Sequence, residues 1–322
     1  MLEVAIEGER ARIGERLFVS FQRTLRVPDD GKDYPLPPGI GAFPIHRVED
    51  YADRVPREWR ERGGVFIPMY QREALWLGFG AARWKPNAVK VGVGGINAVS
   101  GLGWDEALHT DPQDYIVCPQ QPWLDGINAG EHHVRQFVAM PLGAGYTVEG
   151  QVTGNETVGG IQLLVFEPRP GLFPDQPPPE SEAVRGRESR RSAEPDAMGI
   201  APGGRIEQKI YPDPYGLDTW NPDDHGDLFV HIVNTEQYSA ITGLTPPPTP
   251  ISAHTYSERG LPWFALYDEA EADLPAAPTL TELKSVQQHD AEIGVRDTHD
   301  ATTIDIDPDT VVGLERSERT EA

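Results

Sequence analysis

Val89-Lys90-Val91-Gly92-Val93-Gly94-Gly95-Ile96-Asn97 is the stretch from which the fold is read. Three valines alternate with Lys90 and Gly92, and a period of two belongs to a strand, not to a helix. Gly94-Gly95 followed by Asn97 then supplies a turn. The same grammar extends in both directions. Upstream, Val65–Tyr70 and Ala74–Phe79 are short apolar runs. Downstream come Tyr115–Cys118, Val134–Met140 and Ile161–Phe166, and later Ile206–Tyr211 and Leu228–Val233. In Tyr146–Val152, Tyr146, Val148 and Val152 fall on one face and Thr147, Glu149 and Gln151 on the other, which predicts a half-buried antiparallel strand. Gly154-Asn155 and Gly159-Gly160 read as turns around it.

Many short strands separated by turns, in a chain with 33 Gly and 31 Pro, predict a mainly β fold. The expected form is an antiparallel sandwich or barrel-like core with a few short helices. The helical candidates are Val48–Arg62, restarted at Pro56 and ended by Gly63-Gly64, then Thr235–Thr242, then Thr281–Ile293. For the last, Thr279 or Thr281 is the expected N-cap and Gly294 the stop. The domain plan that follows has an N-terminal extension at 1–30 and one β-rich domain at 31–294. That domain carries a Pro/Ser/Arg/Glu-rich flexible insertion at 169–204, and a disordered acidic tail spans 295–322.

The net charge is −23. Of this, residues 268–322 contribute 15 acids and 4 bases, a net of −11. Such a surface repels phosphates and anionic lipid, so nucleic-acid binding is disfavoured. Only five residues are lysine: Lys32, Lys85, Lys90, Lys209 and Lys284. Acid excess with scarce lysine points to halophilic adaptation, and the scarcity alone also fits a high-GC genome. No apolar stretch approaches the length of a membrane span. Without a signal-peptide pattern, and with Cys118 as the single cysteine, a cytoplasmic location is expected. Cys118 reads as a buried structural thiol.

Chemistry-bearing clusters are few. Gln120-Gln121-Pro122-Trp123-Leu124-Asp125-Gly126 is the most suggestive loop. A Trp beside Gln and Asp can stack a ring and hydrogen-bond its edge. With Arg135, Gln136 and Tyr146, Trp123 and Asp125 make a candidate seat for a sugar, another small molecule or a protein partner; the alternative is that Trp123 plugs the end of the sandwich. Asp223, Asp224, His225 and Asp227 form the densest set of metal-type ligands, the composition of a divalent-metal site or of an Asx-rich turn. Glu131-His132-His133 places adjacent histidines on opposite faces of a strand, a poor chelate.

Several segments together resemble one family. They are GGVFIPMYQREALWLGF (63–79), VKVGVGGINAVSG (89–101), QDYIVCPQQPWLDGI (113–127), RQFVAMPLGAGYTVEGQVTG (135–154), GGIQLLVFEP (159–168) and PPPTPISAHTYSERGLPWFALYDE (246–269). The chain resembles an uncharacterised family found in bacteria, archaea and fungi, over roughly residues 25–290. Some members are labelled "integral membrane protein", a label at odds with the lack of an apolar span here. The resemblance implies no known activity, so no functional residue follows from it. From the residues, the expectation is a non-enzymatic ligand-binding or scaffold protein with no predicted cofactor, for which self-association through sheet edges is also open. The alternative is a metal-assisted hydrolase using Asp223, Asp224, His225 and Asp227.

Overall fold

The computed structural model describes residues 1–176, 197–266, 272–295 and 303–314. Among them, strands dominate and pair mostly antiparallel. Asn87–Val93 is buried along its whole length. It runs antiparallel to Ile161–Pro168 on one side, with Val93 opposite Ile161 and Ala88 opposite Phe166, and to Ile116–Cys118 on the other. Being covered on both faces explains why this strand carries valines at alternate positions and glycine, alanine and a neutralised lysine between them. Ile161–Pro168 pairs onward with Trp220–Asn234.

A second group of strands is built on Ala74–Gly80. It pairs with Leu17–Thr24 over seven residues and then with His133–Pro141. His133–Pro141 in turn carries Gly126–Gly130 and Ala197–Glu207. Met198 opposite Ile232 links the two groups, so these strands belong to one branching 17-stranded sheet. The sheet is not closed into a barrel. Phe21, Leu77, Val91, Phe137 and Leu163 belong to one continuous core cluster. Full burial of each such side chain contributes about 1.5–3 kcal/mol.

The exceptions to antiparallel pairing are specific. Val65–Met69 runs parallel to Val230–Asn234, and Asp33–Tyr34 parallel to Arg205–Ile206. Trp263–Leu266 runs parallel to Val311–Leu314 in a separate two-stranded sheet.

Five expectations need correcting. The strand expected at Tyr146–Val152 is a helix, Val148–Thr153. The Thr147 side chain caps it by accepting from Gly150 N, and Gly154 ends it in the left-handed conformation. Local capping outweighs a seven-residue alternation here. Residues 1–30 are not an extension. Val4–Glu7, Arg10–Ile13 and Leu17–Thr24 belong to the main sheet, and Ala11, Ile13, Leu17, Val19 and Phe21 point inward at alternate positions.

The third correction concerns the insertion at 169–204. Its last residues lie in the Ala197–Glu207 strand, while 177–196 fall outside the described residues. Similarly, the tail expected to be disordered contains an ordered piece at 303–314, where Ile304 is buried and Val311–Leu314 forms a strand. An isoleucine with apolar surface to bury holds this part down despite its acidic neighbours.

The expected helix Thr281–Ile293 is also divided, into Pro278–Thr281 and Val286–Ile293. The second piece starts at Ser285 through a reciprocal capping box with Gln288.

Candidate functional site

Of the five residues suggested by the Trp123 loop, the structure joins two. Gly126 pairs opposite Gln136, and a Cβ at Gly126 would lie 1.9 Å from Arg135 O, so only glycine allows this approach. The tight pairing draws Asp125 inside, 2% exposed. Gln208 brackets it: Asp125 N donates to Gln208 Oε1 at 2.9 Å, and Gln208 Nε2 donates to Asp125 Oδ2 at 2.8 Å. Burial pushes the Asp125 carboxyl up to about 7, against hydrogen bonds from the Gln208 and Trp123 side chains.

The other three each hold a different segment. Gln136 accepts from Val27 N and donates to Leu25 O, replacing a missing backbone rung. Arg135 donates to Leu283 O at 3.0 Å. Tyr146 OH donates to Asp290 Oδ1 at 2.6 Å, and Arg72 holds the same carboxylate at 2.6 and 2.8 Å. The polar groups of this set are thus engaged internally.

The acidic cluster before Leu228 is spread along the strand Trp220–Asn234. Asp223 and Asp227 are exposed. Asp224 turns to the amino terminus, 3.4 Å from Met1 N, and the His225 ring lies against Phe166. Alternation along a strand sends Asp224 to the face opposite Asp223, His225 and Asp227. Cys118 is fully buried, and burial raises its thiol far above the ordinary range, as expected of a structural thiol.

Metal-type ligands converge elsewhere. Asp105, His109 and Asp114 bring one ligand atom each within 4.8 Å of one another. His109 Nδ1 lies 2.8 Å from Asp114 Oδ2. A cation is already in place, however. Lys90, 1% exposed, sets its ammonium 2.7 Å from Asp105 Oδ1 and 2.8 Å from Asp114 Oδ2, and donates to Ala107 O at 2.6 Å. Three donors meet three acceptors, which is the whole capacity of an ammonium group. The sequence signal was a lysine between valines in a strand, a residue that needs acids nearby to be buried.

An open concavity at the sheet rim has a volume of about 790 Å³. On one side stand Ile6 and the Gly8–Glu9 turn, and on the other the segment Pro44–Arg54. That segment is built on the sheet rim. His46–Arg47 pairs with Val65–Phe66, Val48 N donates to Gly64 O, and a 3-10 turn follows at Glu49–Tyr51. Beneath it, the His46 ring stacks on Phe66 at 5.2 Å and meets Tyr238 OH at 2.9 Å, while Tyr51 packs edge-on against Phe66.

Carboxylates exceed cations on the lining, with Glu9, Glu49, Asp50 and Asp53 against Arg47 and Arg54. A smaller cleft of about 240 Å³ shares Ile6, Arg47 and Glu49 with it and runs on to Asp227–Phe229. At its base, Gly64 has φ +83°, and a Cβ there would lie 2.2 Å from Phe229 O. Sequence reading singled out none of this, because the two walls come from segments about 40 residues apart with no motif in either.

No helix among the described residues is long and apolar enough to cross a membrane. The chain matches no family model, no curated protein and no solved structure.

Proposed function

We propose that the chain is a non-enzymatic binding protein that receives its ligand in the cleft between the Gly8–Glu9 turn and Pro44–Arg54. The observation that carries this is the cleft itself. Its volume of about 790 Å³ lies within the span of ligand sites, and it is set on sheet edges backed by the His46–Phe66–Tyr238 cluster. The Trp123 set supports the same reading by contrast, since its polar atoms hold the fold together.

The metal-assisted alternative has less support at Asp223, Asp224, His225 and Asp227, which do not converge. A metal reading gains more from Asp105, His109 and Asp114, where Lys90 competes for the same oxygens. Metal analysis of the purified protein separates the two functions.

Ala52 is exposed and lines the cleft, so Ala52→Trp fills the space without touching the core. The test is a thermal-shift screen of sugars, amines and other small polar molecules, followed by titration of each hit against both proteins. Hits that lose at least tenfold in affinity for Ala52→Trp support the seat. Hits that bind both proteins equally well place the ligand elsewhere and refute it.

A further inference from the structure

Beyond a generic ligand seat, the geometry at its inner end points to a particular partner: we infer that the groove between Val4–Glu7 and Asp227–Phe229 is an open strand position that takes an extended, basic segment of another polypeptide. This rests on the binding reading above and names its partner.

Hydrogen-bond parity decides which main-chain groups face the groove. Val4–Glu7 pairs with Arg10–Ile13 around the two-residue turn Gly8–Glu9, with Glu7 opposite Arg10. Residues flanking such a turn exchange both backbone hydrogen bonds, and the bonded pairs then recur at every second residue. Glu7, Ala5 and Glu3 therefore aim their main-chain groups at this neighbour. Gly14 N donating to Glu3 O at 2.8 Å follows the same alternation. The N–H and C=O groups of Val4 and Ile6 consequently point to the other side, where no ladder partner is found among the described residues.

Across the groove the parity is set independently. Leu2 N donates to His225 O at 2.9 Å, so His225, and Asp227 two residues on, turn their main-chain groups toward the first strand. The two strands touch at Leu2 and His225 and then part. Between Val4 and Ile6 on one side and Asp227 on the other lies the cleft of about 240 Å³, closed at its Phe229 end by residues 62–65, where Val65 takes up the pairing with Val230. Two outward-facing backbone edges across a groove are what an added strand requires, because it satisfies both at once. The Val4–Glu7 edge carries neither proline nor lysine, the usual guards of an exposed edge.

Charge selects the partner. Past Ile6 the groove opens into the larger cleft, where four carboxylates face two arginines. Arg47 is matched to Glu49 at 2.9 Å, which leaves Glu9, Asp50 and Asp53 against Arg54, a net excess of two carboxylates. A second copy of this chain would bring its own net charge of −23 and be repelled. A segment with β-branched residues for the groove and Lys or Arg for the wider end fits both parts.

The test uses the full chain and a fluorescent peptide of sequence Thr-Val-Thr-Val-Lys-Arg, read by polarisation at low and high salt. Ile6→Pro removes an outward N–H without breaking the ladder to Arg10–Ile13, and its melting temperature serves as the folding control. Binding to the wild type is expected, with a loss of at least tenfold for Ile6→Pro, for the same peptide N-methylated at alternate residues, and for a Glu-Glu-ended peptide. If the N-methylated peptide binds as well as the parent, strand addition is overturned, and this outcome decides even if Ile6→Pro fails to fold. Small molecules that bind and are blocked by Ala52→Trp, with no peptide binding at all, leave the ligand seat standing and overturn the strand position. A dimer in light scattering that Ile6→Pro abolishes makes the occupant a second copy and overturns the proposed partner.

Discussion

Replacing Asp125 by Asn isolates the energetic effect of a buried carboxyl that has no cation beside it. Desolvation raises the folded-state value from 3.8 to about 7, and the opposing influences are hydrogen bonds from Gln208 and Trp123. A group whose folded value is raised binds its proton more tightly in the folded state. Its contribution is fully present below about pH 4 and is lost as pH rises through about 7. Linkage between these two values makes the loss from pH 5 to pH 8 about 3 kcal/mol, as an upper bound for one site.

Asn cannot ionise, so Asp125→Asn removes that slope, at the cost of about 1 kcal/mol for one altered hydrogen bond. Urea denaturation followed by tryptophan fluorescence at pH 5 and pH 8, at constant salt, measures it. The variant is expected to be equal to or slightly weaker than the wild type at pH 5, and more stable by about 1–3 kcal/mol at pH 8. An identical difference at both pH values refutes the reasoning. So does an Asp125 carboxyl that titrates near 4 by NMR.

Two further predictions concern other buried ionisable groups. His231 stacks on Trp59 at 4.3 Å, and burial lowers it to about 3, so its contribution is present above the unfolded value near 6.5 and is lost as pH falls; His231→Gln should remove up to about 3 kcal/mol of the stability change between pH 7 and pH 4, measured by urea titration at both. Lys90→Met leaves the buried Asp114 without its ammonium and is expected to cost about 3–5 kcal/mol, part of which Lys90→Met with Asp114→Asn recovers in a denaturation double-mutant cycle.

The sheet was legible wherever alternation met a local stop. Val65–Met69, Ala74–Gly80 and Asn87–Val93 sit where their apolar runs and flanking Gly or Pro place them. Asn234 and Gly243 similarly bound the helix Thr235–Thr242. The reading failed at Thr147, where a capping hydroxyl three residues before Gly150 mattered more than period. It failed again at residues 10–21, where arginines and serine between the buried positions made a strand edge look like a polar extension.

The candidate site was legible only in part. Trp123 and Asp125 do come together, through a contact between neighbours in sequence. The Lys90 cluster draws on a strand and a loop, and the cleft on segments that no local pattern relates. Spacing along the chain carries no information about either.

The fate of the cations ties the acidity to the proposed function. Arg23 and Glu73 form a buried pair at 2.6 Å, with side chains 5% and 1% exposed. Lys90 is enclosed by Asp105 and Asp114, Arg72 holds Asp290, and Arg16 holds Glu167. Each pair consumes a positive charge in or near the core, where an unpaired partner would be costly to leave. Each pair also consumes at least one acid, so the excess of 51 acids over 28 bases is left to the rest of the chain, most of it at the surface. The cleft by Glu9, Asp50 and Asp53 inherits that imbalance. Salt screens such a field within about 10 Å at 0.1 M, so a basic partner gains from it mainly at close range, where main-chain pairing along Val4–Glu7 fixes register and charge selects the sequence.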